Sequence, residues 1–163
     1  MSSAGGQERN DTGVFSTRLA ELGITLPTVA APLAAYVPAV RTGNLVYTSG
    51  QLPLESGNPT HLGKAGAEVS PEDAKAAART CALNALAAIH ALVGIDSIVR
   101  VVKVVGFVAS APGFTGQPGV VNGASEFLGE VFGEAGAHAR SAVGVAELPL
   151  GVPVEVEVIV EVA

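Results

Sequence analysis

Near its C-terminus the chain reads Val154-Glu155-Val156-Glu157-Val158-Ile159-Val160-Glu161-Val162. Side chains alternate between the two faces of a β-strand, so this run puts its valines on one side and Glu155, Glu157, Ile159 and Glu161 on the other. Unbroken β-branched alternation at this period predicts a strand buried on one face. The valine face needs a covering layer, and helices suit it. The glutamate face must meet water or another subunit.

Two segments can supply the covering layer. Ser70-Pro71-Glu72-Asp73 opens a helix with a capping hydroxyl, a proline at the first helical position and acids in the first turn. The spacing predicts a helix to about Val93, ended by Gly94. Its alanines (Ala74, Ala77, Ala78, Ala82, Ala85 and Ala88 among them) permit close approach to a sheet, and Leu83, Leu86, Ile89 and Val93 recur at helical spacing. A second amphipathic helix is predicted over Pro118 to Phe132, and a short one over Val14 to Leu22. Strands are predicted at Tyr36 to Val40, Leu45 to Thr48, Ile98 to Ala109 and after His138, with Arg41 to Asn44 as a turn. The last two strands, joined through Pro149-Leu150-Gly151-Val152-Pro153, read as a hairpin centred on Gly151, which sets Glu155 opposite Glu147. The order β-β-α-β-α-β-β is that of an α+β two-layer sandwich, a mixed β-sheet with two helices on one face. Residues 1–13 are expected to form a flexible tail ahead of a single domain, residues 14–163.

Charged residues make up only 15% of the chain against 48% hydrophobic, more apolar surface than a monomer of this size usually hides, which points to an oligomer. The net charge of −6 argues against nucleic-acid binding through a broad basic surface. Residues 1–13 lack the apolar core of a signal peptide and no uninterrupted apolar run reaches bilayer length, so the expectation is a cytoplasmic protein with no membrane partner. Cys81 is the lone cysteine, which excludes an intrachain disulfide. His61 and His90 have no partners at ligand spacing, so no metal is expected.

Arg140 opens an otherwise apolar strand, His138-Ala139-Arg140-Ser141-Ala142-Val143-Gly144-Val145-Ala146-Glu147-Leu148-Pro149. Its guanidinium stays protonated and its planar fork suits a carboxylate. At the start of a core strand it needs a partner, either a nearby glutamate or a ligand anion.

The order Arg140-Ser141, Val143-x-Val145-Ala146-x-Leu148-Pro149, then Val154-Glu155-Val156-Glu157 resembles the C-terminal signature of the RidA/YjgF family, which includes enamine/imine deaminases. Tyr36-Val37 and Gly43-Asn44-Leu45-Val46-Tyr47-Thr48-Ser49-Gly50-Gln51-Leu52-Pro53 are similar to its N-terminal block, and Asn122 stands at its helix-start asparagine. The resemblance runs from about residue 30 to the C-terminus.

It implies a chorismate mutase-like fold and a homotrimer with ligand clefts between neighbouring chains. The implied reaction is hydrolysis of 2-enamine or 2-imine acids to 2-keto acids and ammonia, with no cofactor. Arg140 would clamp the substrate carboxylate, and Glu155 would handle water or a proton. Tyr36, Ser49 and Asn122 would line the cleft, and the backbone carbonyl of Ala142 would hold the attacking water. Ser49 lacks the G-x-S-x-G setting of a hydrolase nucleophile. Two departures stand out: Ala142 replaces a frequent cysteine, and one extra residue falls between Asn122 and Arg140, in the Gly133–Ala139 loop. His138 in that loop has two readings, a contact to substrate and, favoured, a lone surface side chain. Two other functions remain: a trimer that binds a small carboxylate without turnover, and an endoribonuclease, a label some family members carry. The acidic balance, the lack of a histidine pair and the lack of an aromatic stacking stripe count against the latter.

Overall fold

The alternating strand forms over Val154–Val162, and every one of its valines is buried to within 1% of full burial. A computed structural model describes residues 13–29 and 35–163. Residues 1–12 of the expected tail and residues 30–34 of the Pro/Ala-rich segment lie outside the described residues. In chain order the elements are α1 (Val14–Glu21), β1 (Ala39–Thr42), β2 (Leu45–Thr48), β3 (Leu54–Glu55), β4 (Asn58–Pro59), α2 (Pro71–Val93), β5 (Ile98–Ala109), α3 (Gln117–Phe132), β6 (Ala139–Val145) and β7 (Val154–Val162). The fold is the expected α+β sandwich. A five-stranded mixed sheet runs β1-β2-β7-β5-β6, with β5 and β6 parallel and the other neighbours antiparallel. The helices cover its valine face.

β7 sits at the centre, paired with β2 on one side and β5 on the other. Burial of a valine side chain stabilises by about 1.5 to 3 kcal/mol, so a strand with a whole valine face gains most where both flanks and one face are covered. Ala74, Ala78, Cys81, Ala82, Ala85 and Leu86 of α2 belong to the same buried cluster. Ser70 caps this helix as expected, accepting a hydrogen bond from Asp73 N at 3.1 Å. By length and composition alone α2 is long and apolar enough to cross a membrane, yet Arg79 interrupts it and half of that stretch is buried inside the fold, as befits a core helix. α1 joins the helix layer through Phe15, whose ring meets Phe132 edge-on at 4.6 Å. Two of its free first-turn amides, those of Phe15 and Ser16, donate to Asp96 Oδ1, each at 2.9 Å.

Two sequence expectations are corrected. β6 and β7 do not form a hairpin, because β5 lies between them. β5, α3 and β6 form a β-α-β unit, whose crossover makes its strands parallel and adjacent. The chain then passes across to put β7 on the far side of β5. Glu155 is level with Phe107, not with Glu147. The first strand is also shifted: it spans Ala39–Thr42, leaving Tyr36 and Val37 ahead of it. Pro38 has no amide to give a ladder and biases its predecessor, which accounts for the late start. Gly43, at φ +56°, and Asn44 make a two-residue turn to β2.

α2 and α3 approach closely at Gly123. A Cβ there would collide with the Lys75 carbonyl oxygen of α2, which is backbone and cannot step aside. Gly123→Ala is therefore expected to destabilise the protein by about 1 to 3 kcal/mol in urea unfolding. Gly129→Ala, with open space around the added methyl, is expected to be neutral or slightly stabilising, because alanine favours the helix.

Candidate active site

Arg140 lies in β6, an edge strand, level with Val104 of β5, which is itself level with Val158 of β7. Partners in register share a face, so its side chain stands on the helix side of the sheet, against α3. There Arg140 Nη1 donates to Asn122 Oδ1 at 2.7 Å and to Ser125 Oγ at 3.3 Å. Asn122 and Ser125 are three residues apart on α3, the spacing that puts both on one helix face. Neither partner is charged. Four ion pairs form among the described residues, Arg18–Glu21, Lys64–Glu147, Lys75–Glu126 and Arg79–Glu130, and none involves Arg140. The half-buried guanidinium therefore keeps its charge and part of its fork for another anion.

The polar contacts continue beyond the arginine. Ser125 Oγ lies 2.8 Å from His138 Nε2, and His138 Nδ1 lies 2.6 Å from the Gly136 carbonyl oxygen. His138 is thus half-buried and tied into the arginine's surroundings, not the isolated surface histidine expected. The Gly133–Gly136 stretch winds into a short 3-10 helix and presents that carbonyl. Ser125 was not singled out in the sequence. Its three-residue spacing from Asn122 on the helix face turned toward Arg140 was the available signal. Ala142 sits two residues along β6, level with Gly106 and packed against the core.

The remaining predicted residues gather elsewhere. β2 pairs with β7 as far as Tyr47–Ile159; Val158 N then bonds Thr48 Oγ1 at 3.0 Å, and backbone pairing resumes at Gln51–Val156. Tyr47 to Gln51 is four steps and Ile159 to Val156 three, so β2 carries one extra residue and bulges at Ser49-Gly50. Ser49 Oγ donates to the Val37 carbonyl at 2.6 Å, which fastens the segment carrying Tyr36, a side chain 60% exposed. Gly50 lies against the Glu155 carboxylate: a Cβ there would stand 2.5 Å from Oε1. Burial, and next the neighbouring charge of Glu157, push the Glu155 carboxyl above its ordinary range.

One chain therefore carries two separate clusters: Arg140, Asn122 and Ala142, joined by Ser125 and His138, and Tyr36, Ser49 and Glu155. Glu155 is level with Phe107 and projects from the helix-free face, opposite to Arg140. Two strand spacings and three residues along the strand put their backbones roughly 14 Å apart. Among the described residues no group of three His, Cys, Asp or Glu side chains converges as a metal site.

The family model described as Endoribonuclease L-PSP matches residues 28–162. Protein TCP17 of Trypanosoma cruzi is 45% identical over 152 residues, 92% of this chain and 95% of that protein. The crystal structure of Atu1372, a protein of unknown function from Agrobacterium tumefaciens, superposes with a TM-score of 0.84 at 46% identity, covering 93% of this chain and 94% of that one. RidA from the Antarctic bacterium Psychrobacter sp. PAMC 21119 superposes with a TM-score of 0.59 at 32% identity, covering 85% of this chain and 98% of that one. A shorter stretch, 38 residues at 53% identity, matches 3-aminoacrylate deaminase RutC of Acinetobacter baylyi over 23% of this chain and 30% of that enzyme.

The raised Glu155 pKa has a consequence for stability. The folded chain holds this proton to higher pH than an unfolded glutamate does. Its contribution is fully present below the ordinary carboxylate range and is lost as pH rises through the folded value. Glu155→Gln is expected to unfold at higher urea than the wild type near neutral pH, with the two curves converging below about pH 4. Urea midpoints across that range check it; a constant offset at every pH contradicts it.

Proposed function

The chain belongs to the Endoribonuclease L-PSP family, which includes RidA and YjgF proteins, and on that premise we propose that it is a deaminase. It would hydrolyse reactive 2-enamine or 2-imine acids to 2-keto acids and ammonia. The observation that carries this reading is Arg140, a half-buried cation held by neutral hydrogen-bond partners and with no carboxylate partner among the described residues. A bidentate guanidinium–carboxylate pair would hold the substrate by the group common to all such acids. The partial match to a 3-aminoacrylate deaminase supports the same substrate class.

In this reading the enamine tautomerises to the imine and water adds at C2. Glu155, poised to hold a proton nearer neutrality than a free glutamate, passes one proton of that water to the imine nitrogen as the C2–O bond forms, then carries the resulting hydroxyl proton to the same nitrogen as the C2–N bond breaks, leaving the C2 carbonyl and ammonia. The Ala142 carbonyl would accept a hydrogen bond from the attacking water. Tyr36 and Ser49 would wall the cleft, and Asn122 holds the clamp. No step calls for a cofactor.

The two clusters would meet across a boundary between chains. The separation of Arg140 from Glu155 within one chain supports this, as do exposed apolar side chains on the helix-free face: Val40 at 52%, Tyr47 at 43% and Val143 at 45%. We take the assembly to be a homotrimer with three such clefts, each binding a small carboxylate, with no part for a membrane or a nucleic acid.

The test is release of 2-keto acid from 2-aminoacrylate and bulkier imino acids generated in situ. Arg140→Ala is expected to lower kcat/KM by about 100-fold, the worth of a charge-assisted hydrogen-bonded pair. Arg140→Lys is expected to recover little of it, because lysine has no fork. Wild-type protein no faster than the spontaneous reaction on any imine would move a purely binding role ahead.

A further inference from the structure

The clamp has a free edge and a held edge. Both hydrogens of Arg140 Nη1 are engaged, by Asn122 Oδ1 and Ser125 Oγ. Neither Nε nor Nη2 bonds any described residue. Those two nitrogens present parallel N–H groups along one side of the guanidinium, the arrangement a carboxylate accepts bidentately. The orientation of that free edge depends on what grips Nη1. Asn122 alone fixes one point. Ser125 supplies a second and stops the plane from turning about the first.

A serine hydroxyl rotates, and serves as a steady acceptor only if its own proton is committed elsewhere. His138 provides that commitment. The Gly136 carbonyl oxygen can only accept, so at 2.6 Å its neighbour Nδ1 must carry the hydrogen. In the neutral imidazole Nε2 is then an acceptor, 2.8 Å from Ser125 Oγ. The Ser125 proton goes to Nε2, and its lone pairs are left for Arg140. The 3-10 turn of Gly133–Gly136 places the carbonyl that sets this tautomer.

We propose that Ser125 and His138 are positioning residues for substrate binding: the chain Gly136 carbonyl–His138–Ser125 fixes the plane of Arg140 and so aims its Nε–Nη2 edge at the substrate carboxylate. This rests on Arg140 being the carboxylate clamp.

The probe is pyruvate, a 2-keto acid of the product class, with its dissociation constant measured by calorimetry. Each variant is made with Arg140 intact and again in an Arg140→Ala background. KM and kcat on 2-aminoacrylate are measured alongside. With Arg140 present, Ser125→Ala and His138→Leu are expected to weaken pyruvate binding and raise KM about fivefold, the effect of one hydrogen bond. Turnover at saturation should stay within about twofold, since the clamp acts alike on bound substrate and transition state. Ser125→Thr keeps the hydroxyl and His138→Gln keeps one donor and one acceptor, so both should stay near wild type. In the Arg140→Ala background none of the four should change binding further, because there is no plane left to orient.

If Arg140→Ala abolishes binding while Ser125→Ala and His138→Leu leave it unchanged, the clamp stands and the positioning chain falls. If the variants weaken binding equally in both backgrounds, their role is general support of the fold, and the proposal is overturned. If Arg140→Ala binds pyruvate as well as the wild type does, the clamp reading falls and takes this proposal with it.

Discussion

One strand determines how everything else is arranged. β7 carries an unbroken valine face, and burying it requires a helix layer on one side and a neighbouring strand on each flank. β2 and β5 take the flanks, α2 lies over the valines, and α3 packs beside it over β5 and β6. The parallel partner of β5 is thereby displaced to the edge of the sheet. Arg140 reaches the margin of the helix layer because β6 is that edge. In a central strand on the same face it would have been enclosed by apolar side chains, and a buried guanidinium without a counter-charge is not tolerated.

The setting of this arginine differs from that of the other paired cations. Arg18, Lys64, Lys75 and Arg79 pair with glutamates at the surface, contacts worth about 0 to 1 kcal/mol each. Arg140 is held instead by an amide oxygen and a hydroxyl oxygen. Such partners fix geometry without neutralising charge, so the potential around the guanidinium stays positive in a protein of net charge −6. Glu155 is the counterpart: burial and a like-charged neighbour make its carboxyl readier to hold a proton. The proposed chemistry needs both conditions, a persistent cation for a carboxylate and an acid that exchanges protons nearer neutrality. The sheet puts them on opposite faces, so a shared cleft calls for a second chain.

Much of the layer architecture was legible from local signals. The valine alternation marked β7, the Ser70-Pro71-Glu72-Asp73 start marked α2, and Gly94 and Gly133 marked the ends of α2 and α3. These signals are carried by neighbours in the chain, where backbone period and capping act. The strand order was not legible, because Gly151 looked like a hairpin tip and nothing local says that β5 will intervene. Tyr36-Val37 looked like strand until Pro38 is weighed as a residue with no amide to share. The Asp96 cap on α1 joins residues about 80 apart in sequence and leaves no local trace.

By itself the sequence determined which residue types stand on each face of each element, because those faces follow from the two-residue and 3.6-residue periods of the backbone. It also determined that Arg140 would be the cation in need of a partner. Only the tertiary structure decided what that partner is. Asn122 and Ser125 come from a different element, His138 and the Gly136 carbonyl from the turn before β6, and their convergence depends on where α3 packs against the sheet edge. Periodicity says which way a side chain points; only packing between elements separated along the chain says what it meets.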